Sequence, residues 1–132
     1  MPDTKTNKRA LILVDHGSNV AEANGVLAEV ANEIRQRGAG FDIVEYCHME
    51  IASPTMEEAF QKCAELGAGE VVVHPYFLVP GRHSGFDIPA MAKEAAEKFP
   101  NLKHTVTDPL GLHEKIVDVV LERVSSVCWT KG

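Results

Sequence analysis

Apolar positions along this chain switch repeatedly between a short continuous run and a helical spacing. Ala10-Leu11-Ile12-Leu13-Val14 is an unbroken apolar run that ends in the polar turn Asp15-His16-Gly17-Ser18, the pattern of a strand buried on both faces. From about Ala21 to Arg37, apolar residues recur at Val20, Ala23, Leu27, Val30 and Ile34, which predicts a helix, ended by Gly38 and Gly40. The alternation repeats. A strand is expected from Ile43 to Met49, then a loop over Glu50 to Ser53. Ser53-Pro54 reads as a cap and first-turn proline of a helix reaching about Leu66, with Met56, Ala59, Phe60 and Cys63 inward. Gly67 and Gly69 stop it.

The third unit opens on a strand from Glu70 to Phe77 centred on Val71-Val72-Val73, and its loop contains Pro80, Gly81 and Gly85. Asp87-Ile88-Pro89 looks like a helix start, with Asp87 able to cap, and the helix runs to about Lys98. The fourth unit is a strand at His104 to Thr107, the turn Asp108-Pro109-Leu110-Gly111, and a helix from His113 to Val127. Its expected inward face is Ile116, Val117, Val120, Leu121 and Val124. Four βα units with short links predict an α/β domain: a parallel sheet flanked by helices on both faces, with right-handed crossovers and a flavodoxin-like strand order.

Length and composition narrow this further. At 132 residues the chain suffices for one core and not two. Residues 1–8 read as a disordered lead, 9–128 as the domain and 129–132 as a loose tail. No apolar run approaches the roughly 18 residues of a membrane span, so no membrane partner is expected. Neither is a secretory leader, which makes the cytoplasm the expected location, or a plastid if a transit peptide has been removed. A net charge of −6 argues against nucleic acid as partner. Cys47, Cys63 and Cys128 are far apart with no C-x-x-C pair, as for reduced thiols.

The chemistry gathers where open α/β sheets bind ligands, past the strand C-termini. His16 follows the first strand, His48 and Glu50 the second, His83 the third and His113 the fourth. Parallel strands would therefore bring four of the six histidines to one edge. His74 lies before that edge, and His104 falls at the opposite end, as a structural or solvated residue. Imidazole near neutral pH exchanges protons and ligates first-row metals, and a glutamate adds a base or an oxygen ligand. Any single loop histidine is more often an ordinary surface residue; the coincidence of several gives the edge its interest. Arg82 could pair with a carboxylate, and Gly81 and Gly85 could admit a flat ligand or simply make a turn. Met49 and Met56 suit core or pocket lining. Phosphate-loop patterns are absent, and Ser18 lacks a nucleophile-elbow setting.

Leu13-Val14-Asp15-His16-Gly17-Ser18, His48-Met49-Glu50-Ile51-Ala52-Ser53-Pro54, His74-Pro75-Tyr76-Phe77-Leu78-Val79-Pro80-Gly81-Arg82-His83 with Asp87-Ile88-Pro89, and Pro109-Leu110-Gly111-Leu112-His113 together resemble the short-form sirohydrochlorin chelatases of the CbiX/SirB type. The likeness spans about Arg9 to Val124. The third motif is specific, and the first and last gain weight from their order. The resemblance implies a class II chelatase fold and insertion of a divalent metal, Co²⁺ or Fe²⁺ (Ni²⁺ less so), into sirohydrochlorin without a nucleotide, for cobalamin or siroheme formation. It implies His16 and His83 as the metal-handling and catalytic pair, with Glu50 as their acidic partner. Ser18, Phe77, Gly81, Arg82 and Ser84 are the candidate substrate-binding residues. Larger members carry two such halves, so a homodimer with a cleft between halves is implied. Plant members carry a cysteine-bearing extension for an iron–sulfur cluster; the sequence stops at Gly132 without one, and no such cluster is expected. The rival readings are a non-catalytic tetrapyrrole or metal carrier on the same fold, and a flavodoxin-like or receiver domain. The latter lacks its acidic cluster and phosphate loop here.

Overall fold

The computed structural model describes residues 8–79 and 88–127. In chain order the elements are β1 (Lys8–Asp15), α1 (Ala21–Arg37), β2 (Ile43–His48), α2 (Met56–Glu65), β3 (Ala68–Pro75), α3 (Ile88–Ala96), β4 (Lys103–Val106) and α4 (Glu114–Ser125). All pairings are parallel and the strand order is β2-β1-β3-β4, the expected flavodoxin-like arrangement.

The continuous apolar runs belong to the central strands because both of their faces are covered. Ala10, Ile12 and Val14 of β1 join Val71 and Val73 of β3 beneath α2 and α3, where Phe60 and Ala92 are fully buried. Leu11, Leu13 and Val72 face the other way, toward Leu27 and Ala31 of α1. The inward face of α1 is thus centred on Leu27 and Ala31, with Val30 and Ile34 partly buried. Ala23 is exposed, and Val20 is the residue before the helix rather than part of its face. Gly38 closes α1 at φ 78°, and its N–H donates to the carbonyls of Ile34 and Arg35.

At α2 the structure moves the cap. Thr55, not Ser53, is the N-cap: its hydroxyl accepts from the Glu58 N–H, and the Glu58 carboxylate accepts from the Thr55 N–H. A reciprocal box satisfies two orphan donors at once, and it falls on the residue directly before the helix. All four residues expected inward on α2 are buried.

The largest departure is α4. Among its described residues none is buried: Val117, Val120, Leu121 and Val124 are all exposed, and Ile116 is half-buried. Helical spacing correctly marks an apolar face but cannot say what covers it. The connector explains the geometry. Thr107 N–H donates to Val73, Leu110 N–H to Phe77 and Gly111 N–H to Leu78, so the chain is tied along β3 past the strand end before α4 begins. On the α1 side of the sheet, Thr105 of β4, in register with Val72, is left exposed.

Candidate active site

β1, β2 and β3 end together. Asp15 is in register with His48, and Val14 with Cys47 and Pro75. Hydrogen bonding continues beyond the strands: Met49 N–H donates to Asp15 at 2.8 Å, Glu50 N–H to His16 at 3.2 Å, and Tyr76 N–H to Val14 at 2.6 Å. The turns after β1, β2 and β3 are therefore adjacent, and His16, Glu50 and Phe77 stand on them.

His16 is exposed, and its imidazole stacks on Phe77 with ring centroids 4.7 Å apart and planes 23° apart. Stacking restricts the ring's orientation while leaving both nitrogens without a protein hydrogen bond among the described contacts. Phe77 in turn packs on the α2–α3 core, so it links the site to a fixed surface. Glu50 is exposed beside it, next to Ile51, whose backbone adopts φ 76°. A β-branched residue in the left-handed region costs of order 1–3 kcal/mol and persists where its surroundings over-determine it. Gly17, at φ 92°, lies so close to this loop that a Cβ there would overlap the Glu50 carbonyl oxygen. Only glycine permits that approach.

His48 departs from the expected ring of histidines. It is 1% exposed, and its Nδ1 lies 2.5 Å from Asp15 Oδ1. A carboxylate can only accept, so Nδ1–H donates and His48 faces inward. Asp15 Oδ1 also accepts from the Gly17 N–H at 3.1 Å. Neither Asp15 nor this partnership is marked by sequence spacing; it appears only once the register of β1 against β2 is known. His113 likewise serves structure: it caps α4, its Nδ1 accepting from the Lys115 N–H at 3.0 Å. His74 Nδ1 lies 2.8 Å from Thr107 Oγ1, and burial lowers its pKa below the ordinary imidazole value, partly offset by a backbone hydrogen bond to Asp108. His104 packs edge-on against Phe60, the structural of the two roles open to it.

Ser18 is held in place. Its hydroxyl accepts from the Val20 N–H at 3.0 Å, and its backbone exchanges two hydrogen bonds with the Asn24 side chain at 2.9 and 2.8 Å. Its O–H remains able to donate. Gly81, Arg82, His83 and Ser84, like Gly85 and the expected cap Asp87, lie outside the described residues. Among the described residues, no group of three or more His, Cys, Asp or Glu side chains is placed to hold a metal ion. Of the cysteines, Cys47 and Cys63 are buried free thiols: burial raises both pKa values, that of Cys63 to about 12, so neither is an available thiolate. Met49 is partly buried against the core, and Met56 is core.

Chemically, the edge offers an accessible imidazole and a carboxylate on neighbouring turns. A neutral imidazole can ligate a divalent ion or accept a proton, and a carboxylate can do either.

The CbiX family model matches residues 10–127. The chain is 43% identical over 114 residues to the chloroplastic sirohydrochlorin ferrochelatase of Arabidopsis thaliana, covering 86% of this chain and 50% of that protein. It is 34% identical over 122 residues to a sirohydrochlorin cobaltochelatase of Sulfolobus acidocaldarius, covering 92% of this chain and 94% of that one. The fold superposes on the sirohydrochlorin chelatase SirB of Bacillus subtilis subspecies spizizenii, solved in complex with cobalt. That match has TM-score 0.82 and 28% identity, covering 91% of this chain and 51% of SirB. The chain thus spans about half the length of some relatives and nearly all of another. With a fold that superposes on SirB, an exposed imidazole and carboxylate at the strand ends, and a family match over almost the whole sequence, the chain belongs to the CbiX family.

Proposed function

We propose that this protein is a sirohydrochlorin chelatase that exchanges two pyrrole N–H protons for Co²⁺ or Fe²⁺, the metal being a substrate, with no nucleotide required. The observation that carries the reading is the pairing of His16, stacked on Phe77, with Glu50 one backbone rung away at the sheet's C-terminal edge. Relatives with sirohydrochlorin ferro- and cobaltochelatase names, one of them of matching length, support the same chemistry. In this reading His16 and His83 hand the ion to the macrocycle. Glu50 and a neutral imidazole accept the two displaced protons and pass them to water. Phe77 presents an apolar ring face to the tetrapyrrole, while Ser18, Gly81, Arg82 and Ser84 serve its periphery and carboxylates. By affinity alone two imidazoles favour Co²⁺ over Fe²⁺ and Ni²⁺ over both, so the choice among these metals falls to supply and pocket shape.

The functional unit in this reading is a homodimer. The exposed apolar face of α4 and the open α1-side face of β4 are surfaces that a second copy would cover, and this chain spans about half the length of SirB, a ratio that two copies would match. Compartment follows the relatives only loosely: the cytoplasm, or a plastid as in A. thaliana. Among the described residues no helix is long and apolar enough to cross a membrane.

The test is anaerobic incubation with sirohydrochlorin and Co²⁺, Fe²⁺ or Ni²⁺ in turn, following the macrocycle's absorption. Wild type should accelerate insertion of Co²⁺ or Fe²⁺. His16→Ala and His83→Ala should each lose about 100-fold or more while keeping wild-type circular dichroism. A protein that binds sirohydrochlorin without accelerating insertion is a carrier, and unchanged rates in both variants would remove the assigned roles. For the dimer, light scattering should give twice the chain mass for wild type and the monomer mass for Leu121→Asp.

A further inference from the structure

Glu50 stands on a loop whose conformation is not its own to choose. At the loop's base the His48 N–H donates to the Pro54 carbonyl at 2.8 Å, closing residues 49–53 into a compact turn. Inside it the Ala52 N–H donates to Glu50 at 2.8 Å, and Ile51 is held left-handed. His16 stands on a separate turn, which begins at Asp15 and bends at Gly17. One buried contact joins the two. The Asp15 carboxylate takes the His48 Nδ1–H at 2.5 Å from across the β1–β2 register and the Gly17 N–H at 3.1 Å within its own turn, both through Oδ1. The His48 ring is 1% exposed and Asp15 22%, so water competes little for this bond.

We infer that Asp15 and His48 form a clamp that sets the position of Glu50 relative to His16, making them positioning residues for metal transfer. This deepens the chelatase reading and rests on it for its catalytic consequence. The physical basis is that neither turn is a regular element, and among the described residues the other ties between them are two backbone bonds, Met49 N–H to Asp15 and Glu50 N–H to His16, and the close packing of Gly17 on the Glu50 carbonyl, which has no direction of its own. The second of these is long, at 3.2 Å. A buried charge-assisted hydrogen bond is short and directional, and so fixes separation where those bonds alone leave freedom. Misplacement of reacting groups by about 1 Å can cost on the order of 100-fold in rate. Metal-site partners beyond the ligands themselves commonly account for about 10–100-fold in affinity or activity.

The discriminating variants are His48→Leu, which keeps bulk and removes the donor, and His48→Asn, whose amide N–H can occupy the place of Nδ1–H. Amide hydrogen exchange reads the clamp without reference to any substrate. In His48→Leu the Met49 and Glu50 amides should exchange at least about 10-fold faster, with Ile12 and Val73 unchanged, and His48→Asn should recover most of the protection. Co²⁺ titration should show affinity weakened by about 10-fold in His48→Leu and restored in His48→Asn. In the insertion assay kcat should fall by a similar factor with KM for sirohydrochlorin nearly constant. Equal exchange at Met49 and Glu50 in a folded His48→Leu would overturn the clamp. So would a uniform rise that included Ile12 and Val73, since that marks a general stabilising role. If His48→Leu does not fold, Asp15→Asn, which replaces the charged acceptor by a neutral amide, carries the same exchange prediction. Wild-type protein that inserts no metal would defeat the chelatase reading and leave the exchange result to judge the clamp.

Discussion

The β1–β2 end of the sheet and the β4–α4 end both present apolar residues for burial and are completed very differently. At the first, Ala10 to Val14 of β1 are all buried, and even the turns beyond the strands are tied by backbone bonds and the Asp15–His48 pair. At the second, a helix with a full apolar stripe lies open, and the edge strand exposes Lys103 and Thr105. The contrast teaches that the site-bearing end is self-sufficient within one chain, whereas the far end needs something further to bury.

The comparison can be broken most sharply in the core. Phe60 is 0% exposed beneath the sheet, so Phe60→Ala should cost about 3–5 kcal/mol in urea unfolding. A loss under about 1 kcal/mol would mean that this end is no better packed than α4. Gly17→Ala should come next. A side chain at φ 92° that collides with the Glu50 carbonyl should destabilise by more than about 1 kcal/mol and displace the Glu50 loop, visible as shifted Met49 and Glu50 amide resonances. Leu121→Ala, measured at concentrations low enough to isolate the monomer, should stay within about 0.5 kcal/mol because Leu121 is 56% exposed. A cost approaching that of Phe60→Ala would show that α4 is covered within its own chain.

The smallest effect expected is that of pH on His74. Burial lowers its pKa below the ordinary 6.5, so the unfolded chain takes up the proton more readily than the folded one. Its contribution is full above the ordinary value and is lost as pH falls through the folded value. Between pH 7 and 5 the urea midpoint should therefore fall less steeply in His74→Gln than in wild type. Parallel slopes would show that His74 is hydrated in the fold.

Much of this molecule can be read directly from its residues. The apolar run at Ala10–Val14 and the β-branched run at Val71–Val73 require burial on two faces, and strands alternating with helices require parallel pairing and crossovers, so the layer order follows from period and linkage alone. Met56, Ala59, Phe60 and Cys63 were legible as a buried face because their helix is short and amphipathic over a complete sheet. That His16 and Glu50 would share an edge was legible for the same reason: parallel strands deliver their ends together.

Other features needed the assembled fold. His48 and Glu50 are two residues apart, yet one turns inward to Asp15 and the other outward. Which does which depends on strand register, a long-range property that no local spacing encodes. The same holds for α4. Helical periodicity states that a face is apolar, a matter of local geometry, whereas its burial depends on where a backbone-tethered connector releases the helix, a matter of what the rest of the chain has already done.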